Sequence, residues 1–127
     1  MTNKRVLVVD DSKLNRKLVS TILLANGLEV LEADDGEMAV AMAGEELPDL
    51  ILMDVQLPKI DGYEATRRVR ADEKTKDVVI IALTAHAMAG EAQRAREAGC
   101  DGYISKPVDT RTLMDTLQPF LNSSIEK

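Results

Sequence analysis

Leu50-Ile51-Leu52-Met53-Asp54-Val55-Gln56-Leu57-Pro58 lies near the middle of the chain and decides how the rest is read. Its first four residues are apolar without alternation, which marks a strand covered on both faces. Comparable apolar runs flank it, Val6 to Val9 and Leu28 to Leu31 on one side, Val78 to Leu83 and Tyr103 to Ile104 on the other. The intervening stretches are long enough for helices, so strands and helices alternate along the chain. That pattern predicts an α/β domain in which a doubly wound, five-stranded parallel sheet is covered on both faces.

The helices have their own signals. Leu14, Leu18 and Ile22 at spacing four predict the apolar stripe of the first, with Ser12 as its cap and Asn26-Gly27 as its stop. Lys13, Arg16 and Lys17 fall elsewhere around it and, like Arg67, Arg68 and Arg70 farther on, read as solvated helix faces. The second helix is expected after Asp35-Gly36, with Met38 and Met42 inward, ending before Pro48. The third should start near Asp61-Gly62 and run to about Ala71, with Asp61 and Glu64 spaced like a capping box. A fourth, roughly Ala89 to Ala98, ends at Gly99. The last takes Asp109 as its cap and places Leu113, Leu117 and Leu121 on one face, with Pro119 kinking or fraying its final turn. Met53 and Met114 also fit core positions, Met88 a partner-binding face, and Cys100 the role of a small buried hydrophobe.

Composition narrows the function. The 127 residues support one domain, with a core of about residues 5–121, and a single Cys rules out a disulfide scaffold. A net charge of −6 and only three aromatic residues argue against a nucleic-acid surface. No apolar run exceeds six residues, the length of Val78 to Leu83, which is too short to cross a membrane, and Lys4-Arg5 before Val6 to Val9 do not make a signal peptide. A cytoplasmic location is expected.

In an open parallel sheet, ligands bind beyond the carboxyl ends of the strands, where strand order reverses. The residues found there are Asp10-Asp11, Asp54, Thr84 and Ser105-Lys106-Pro107. Three converging carboxylates repel one another unless protons or a cation compensate them. Mg²⁺, which prefers oxygen ligands and retains some of its waters, suits such a set. A carboxylate can also attack phosphorus to form an aspartyl phosphate, provided that nearby positive charge neutralises the transferring group. Lys106 and the metal would supply that charge. Acidic residues decorating loops would explain any one of these positions, but not their shared place after successive strands.

Val8-Val9-Asp10-Asp11-Ser12, Leu52-Met53-Asp54-Val55-Gln56-Leu57-Pro58, Ala82-Leu83-Thr84-Ala85 and Tyr103-Ile104-Ser105-Lys106-Pro107 together resemble the receiver domain of two-component response regulators. The resemblance runs from about Arg5 to Leu121. It implies the flavodoxin-like (βα)5 fold with strand order 2-1-3-4-5. It also implies that Asp54 accepts a phosphoryl group from a phosphohistidine on a histidine kinase or phosphotransfer protein. Asp10, Asp11 and Asp54 with the backbone carbonyl of Gln56 would hold Mg²⁺, with Mn²⁺ able to substitute. Lys106 would pair with Asp54 before reaction and with the phosphoryl oxygens after it, and its bond to Pro107 is expected to be cis.

Thr84 and Tyr103 resemble the family's switch pair. The Thr84 hydroxyl would move toward the phosphoryl oxygens, and the Tyr103 ring would fill the vacated space from a more exposed position. A change in the surface of helix four, strand five and helix five follows, read by a downstream protein. Gln56 and His86, each two residues beyond a key position, would tune the lifetime of the phosphate. His86 is the only His, but a phosphocarrier His normally lies on an exposed bundle helix, so an exposed loop-to-helix role suits it better.

Other readings meet specific obstacles. A flavodoxin-like nucleotide or flavin carrier needs backbone amides after the first strand, where this chain has Asp10-Asp11-Ser12-Lys13. A phosphatase of the haloacid-dehalogenase type places an acid-base Asp two residues after its nucleophile, where this chain has Gln56. Self-catalysed phosphotransfer and slow self-dephosphorylation suit the chain better than turnover. A receiver cut from a hybrid kinase or longer regulator stays open, and Leu57 to Glu64 and Thr84 to Met88 look most similar to cell-division-type single-domain regulators and hybrid-kinase receivers.

Overall fold

The computed structural model describes residues 4–85 and 90–125. Strands and helices alternate throughout: β1 (Arg5–Val9), α1 (Lys13–Ala25), β2 (Glu29–Ala33), α2 (Gly36–Glu46), β3 (Leu50–Asp54), α3 (Gly62–Ala71), β4 (Val79–Thr84), α4 (Glu91–Ala98), β5 (Gly102–Ser105) and α5 (Leu113–Ile125). All neighbouring strands pair in parallel, in the order β2-β1-β3-β4-β5. Strand order reverses between β1 and β3, which makes their carboxyl ends the place for a site.

Side chains leave a strand alternately on its two faces, so each apolar run feeds two cores. Leu7, Val9, Ile51, Met53, Ile80 and Ala82 pack with α2, α3 and α4. Val6, Val8, Leu50, Leu52, Ile81 and Leu83 pack with α1 and α5. β3 and β4 are buried along their whole lengths, which is why their sequences show no polar face. Burying a Leu or Ile in either core contributes about 2–3 kcal/mol.

Three helix starts are capped by side chains. Ser12, Asp35 and Asp61 each accept a backbone N–H three residues on, at 3.3, 2.7 and 2.8 Å. Glu64 turns outward to Arg67 and Arg68, at 3.2 and 3.1 Å. Gly99 ends α4 at φ 110°, a conformation that glycine adopts without steric cost.

Three helix readings need correction. Leu14 and Leu18 are 78% and 47% exposed, and α1 instead buries Val19, Ser20 and Leu23, with Ile22 half-buried against the same core. In α2 the small residues Gly36, Ala39 and Ala43 face inward, because α2 packs closely on its neighbours, and Met38 stays 41% exposed. α5 begins at Leu113 rather than just after Asp109, whose side chain accepts the Arg111 amide in a preceding turn. The helix then continues through Pro119 to Ile125.

Two arginines are not solvated charges. Arg16 donates to the Asp10 carbonyl at 2.7 Å and to Glu32 at 3.2 Å, pinning α1 against the end of β1. Arg70 donates to the carbonyls of Gly99, Lys76 and Val78 and to the Asp101 carboxylate, bracing α3 against the segments around β4 and β5.

Candidate functional site at the carboxyl edge of the sheet

Strand register assembles the site. Val9 pairs with Met53, so the next residues on the two strands, Asp10 and Asp54, lie side by side. Asp54 pairs with Leu83 and Thr84 with Ser105, which brings Thr84 and then Lys106 to the same edge. The Lys106 amide donates to the Thr84 carbonyl at 2.7 Å, and the Lys106–Pro107 bond is cis.

Asp10 and Asp54 are each 2% exposed, whereas Asp11 is exposed. One carboxylate oxygen from each of Asp10, Asp11 and Asp54 lies within 4.8 Å of the others. Lys106 Nζ bridges the buried pair, 2.9 Å from Asp54 Oδ2 and 3.1 Å from Asp10 Oδ2. The remaining oxygens receive backbone amides, Gln56 to Asp54 Oδ1 at 3.1 Å and Ser12 to Asp10 Oδ1 at 2.9 Å.

Burial raises the Asp54 pKa above the ordinary carboxylate value; the Lys106 hydrogen bond works against this, and the Asp10 charge adds to it. Burial alone would lower the Lys106 ammonium, but its bonds to Asp54 and Asp10 outweigh that and hold it above its usual value. One lysine thus serves two buried carboxylates, with a third beside them, and the cluster holds more negative charge than it neutralises. Such an oxygen-only donor set suits a hard divalent cation.

The Thr84 side chain, 2% exposed, donates to Glu91 Oε1 at 3.2 Å. Tyr103 is 43% exposed on edge strand β5. Gln56 is exposed next to Asp54, and Pro107 is exposed at the rim. His86 and Met88 lie outside the described residues. Cys100 is buried, and burial pushes its thiol pKa up, in keeping with an inert core residue.

Glu91 and Gly62 escaped the sequence reading. Glu91 opens α4 and is 7% exposed, although a helix-start acid ordinarily sits in water. Gly62 opens α3 directly behind β3, and its amide donates to the Val55 carbonyl at 2.8 Å. Its place after Asp61 signalled a helix start but not this close approach.

Residues 6–118 match the response regulator receiver domain. The chain belongs to that family. As a receiver it acts in two-component signalling as a phosphoacceptor, a signalling module rather than a conventional enzyme. It is 40% identical to the polar-differentiation response regulator DivK of Brucella ovis, over 95% of this chain and 98% of that protein. The receiver domain of a sensor histidine kinase from Pseudomonas aeruginosa, solved with a magnesium ion coordinated in its active-site cleft, superposes with a TM-score of 0.87 at 37% identity. That match covers 95% of this receiver and 99% of the other chain. The receiver domain of Ssk1 from Saccharomyces cerevisiae, solved with the histidine phosphotransfer protein Ypd1, gives a TM-score of 0.87 at 30% identity, covering 93% and 88% of the two chains. Among the described residues, no helix is long and apolar enough to cross a membrane.

Proposed function

We propose that Asp54 is the phosphoacceptor, taking its phosphoryl group from a phosphohistidine on a histidine kinase or a phosphotransfer protein. The observation that carries this is the setting of Asp54: buried at the end of β3, one oxygen on the Lys106 ammonium and the other on the Gln56 amide. Transfer forms a bond from an Asp54 oxygen to phosphorus and breaks the phosphorus–nitrogen bond, the imidazole leaving with the bonding pair. Lys106, already 2.9 Å from that carboxylate, meets the negative charge carried by the transferring group.

Asp10, Asp11, Asp54 and the backbone carbonyl of Gln56 would hold Mg²⁺, with Mn²⁺ able to substitute. When bound, the ion supplies the positive charge that draws phosphoryl oxygens to a site otherwise rich in carboxylates. The magnesium in the cleft of the similar Pseudomonas receiver supports this assignment. Self-catalysed phosphotransfer and slow hydrolysis complete the cycle, with the exposed Gln56 side chain and His86 setting the phosphate's lifetime.

A phosphohistidine reaches Asp54 only if its protein covers the rim of the site. Exposed Leu18 lines a cavity of about 310 Å³ there, together with Val19, Pro107, Val108, Asp10 and Lys106, and exposed Leu14 precedes Leu18 by one turn of α1. This apolar rim suits the bundle face of a phosphohistidine carrier, and the similarity to a receiver solved with such a protein supports it. Output runs through Thr84 and Tyr103 to the surface of α4, β5 and α5, where a downstream protein reads it. The reading treats residues 5–121 as one receiver core and places it in the cytoplasm, with its donors, and without nucleic-acid or membrane contacts.

Mixing the protein with a radiolabelled phosphohistidine carrier and Mg²⁺ should move the label to this chain. Label retained on the carrier, or moved equally to an Asp54→Ala chain, would overturn the assignment.

A further inference from the structure

Glu91 ties three elements together. Its Oε1 accepts the Thr84 hydroxyl, at the end of β4, and the phenol of Tyr63, in the first turn of α3. Its Oε2 faces Arg94 Nη1 at 3.6 Å, and the Arg94 guanidinium lies over the Tyr63 ring, 5.4 Å from its centroid. The carboxylate sits at the amino end of α4, where the backbone amides favour negative charge. Burial of Tyr63, and then its bond to Glu91, push the phenol pKa up, so the phenol keeps its proton as a donor.

A threonine hydroxyl has a single proton to donate. The function proposed above requires Thr84 to give that proton to a phosphoryl oxygen on Asp54. In the resting chain it goes to Glu91. The two acceptors exclude each other.

We propose that Glu91 is a positioning residue that competes with the phosphoryl group for the Thr84 hydroxyl and ties the resting switch to the first turn of α4. Tyr63 keeps the carboxylate in place whether or not Thr84 is bound. The inference rests on Thr84 being the switch. Phosphorylation then does two things at once: it draws Thr84 away, and it removes this tie between the first turn of α4 and the end of β4.

A ligand that needs one of two exclusive states binds more tightly once the contact holding the other state is removed. A hydrogen bond to a charged acceptor sets that gain at about tenfold in affinity. The probe is beryllium trifluoride with Mg²⁺, titrated into the full chain and followed by amide NMR, which also reports whether each variant is folded. Glu91→Ala should tighten binding about tenfold. Glu91→Gln should tighten it less, because a neutral carbonyl still accepts from both hydroxyls, and it decides the matter if the alanine variant does not fold.

Thr84→Ala alone should weaken binding, and in that background the Glu91 substitutions should change nothing further. Equal tightening with and without Thr84 would show a merely structural role and overturn the proposal. Weakening by Thr84→Ala, with no effect of either Glu91 variant, would overturn this proposal but leave the switch reading standing. No effect of Thr84→Ala would overturn the switch reading and this proposal with it.

Discussion

A Cβ placed on Gly62 would lie 2.1 Å from the carbonyl oxygen of Asp54 and 2.9 Å from Val55 Cα. The start of α3 therefore touches the backbone of Asp54, and only a residue without a side chain fits there. Gly62→Ala must push α3 or the end of β3 aside. The expected cost is about 3 kcal/mol in urea unfolding, together with slower phosphorylation, because the displaced backbone carries Asp54. A variant as stable and as reactive as the parent would show that the contact relaxes freely.

The Lys106 ammonium bonds both buried carboxylates. Lys106→Met leaves Asp10 and Asp54 facing each other without compensation. At neutral pH without metal this should cost about 2 kcal/mol, less than for a fully buried pair because the site opens to solvent. The folded pKa of Lys106 is raised, so its contribution is present below the ordinary lysine value of 10.5 and is lost as pH rises through the folded value. The stability difference between parent and variant should therefore shrink above that pH in denaturant titrations.

Asp54 shows the opposite tension. Its folded pKa is raised above 3.8, so its stabilising contribution is present below that value and is lost as pH rises through the folded pKa. At neutral pH in EDTA, Asp54→Asn should be more stable than the parent. The advantage should vanish as pH falls below 3.8, where the parent carboxyl is protonated both folded and unfolded. Urea midpoints measured across that range check the sign.

Leu14 contributes little to the core at 78% exposure. Leu14→Lys should leave the unfolding midpoint within about 0.5 kcal/mol of the parent. It should slow transfer from a phosphohistidine protein several-fold while leaving phosphorylation by acetyl phosphate unchanged. Equal rates from the protein donor would remove α1 from the docking surface.

The meeting of the site's side chains at one edge was legible because strand ends are easy to read. Asp10, Asp54, Thr84 and Lys106 each follow an apolar run, and parallel register then sets them side by side. The α1 interface was not legible from its spacing. Leu14 and Leu18 extend a regular stripe from Ile22, and only the position of β1 and α5 selects Val19 and Leu23 over them. Arg16 and Arg70 looked like surface charges because their partners are carbonyls and carboxylates distant in the chain, which no local pattern records. Glu91 was hidden for a related reason: its burial depends on Tyr63, 28 residues earlier, and on Thr84. Helix-start acids are common, and nothing local marks one that faces inward.

The central claim is that Asp54 takes up a phosphoryl group at a metal-dependent site. Intact mass after incubation with acetyl phosphate and Mg²⁺ tests it most directly, since the chain has no Trp to report binding by fluorescence. The expected result is a gain of one phosphoryl group that disappears with EDTA and in Asp54→Ala. A gain that persists in Asp54→Ala, or no gain in the parent together with no binding of beryllium trifluoride, would contradict it.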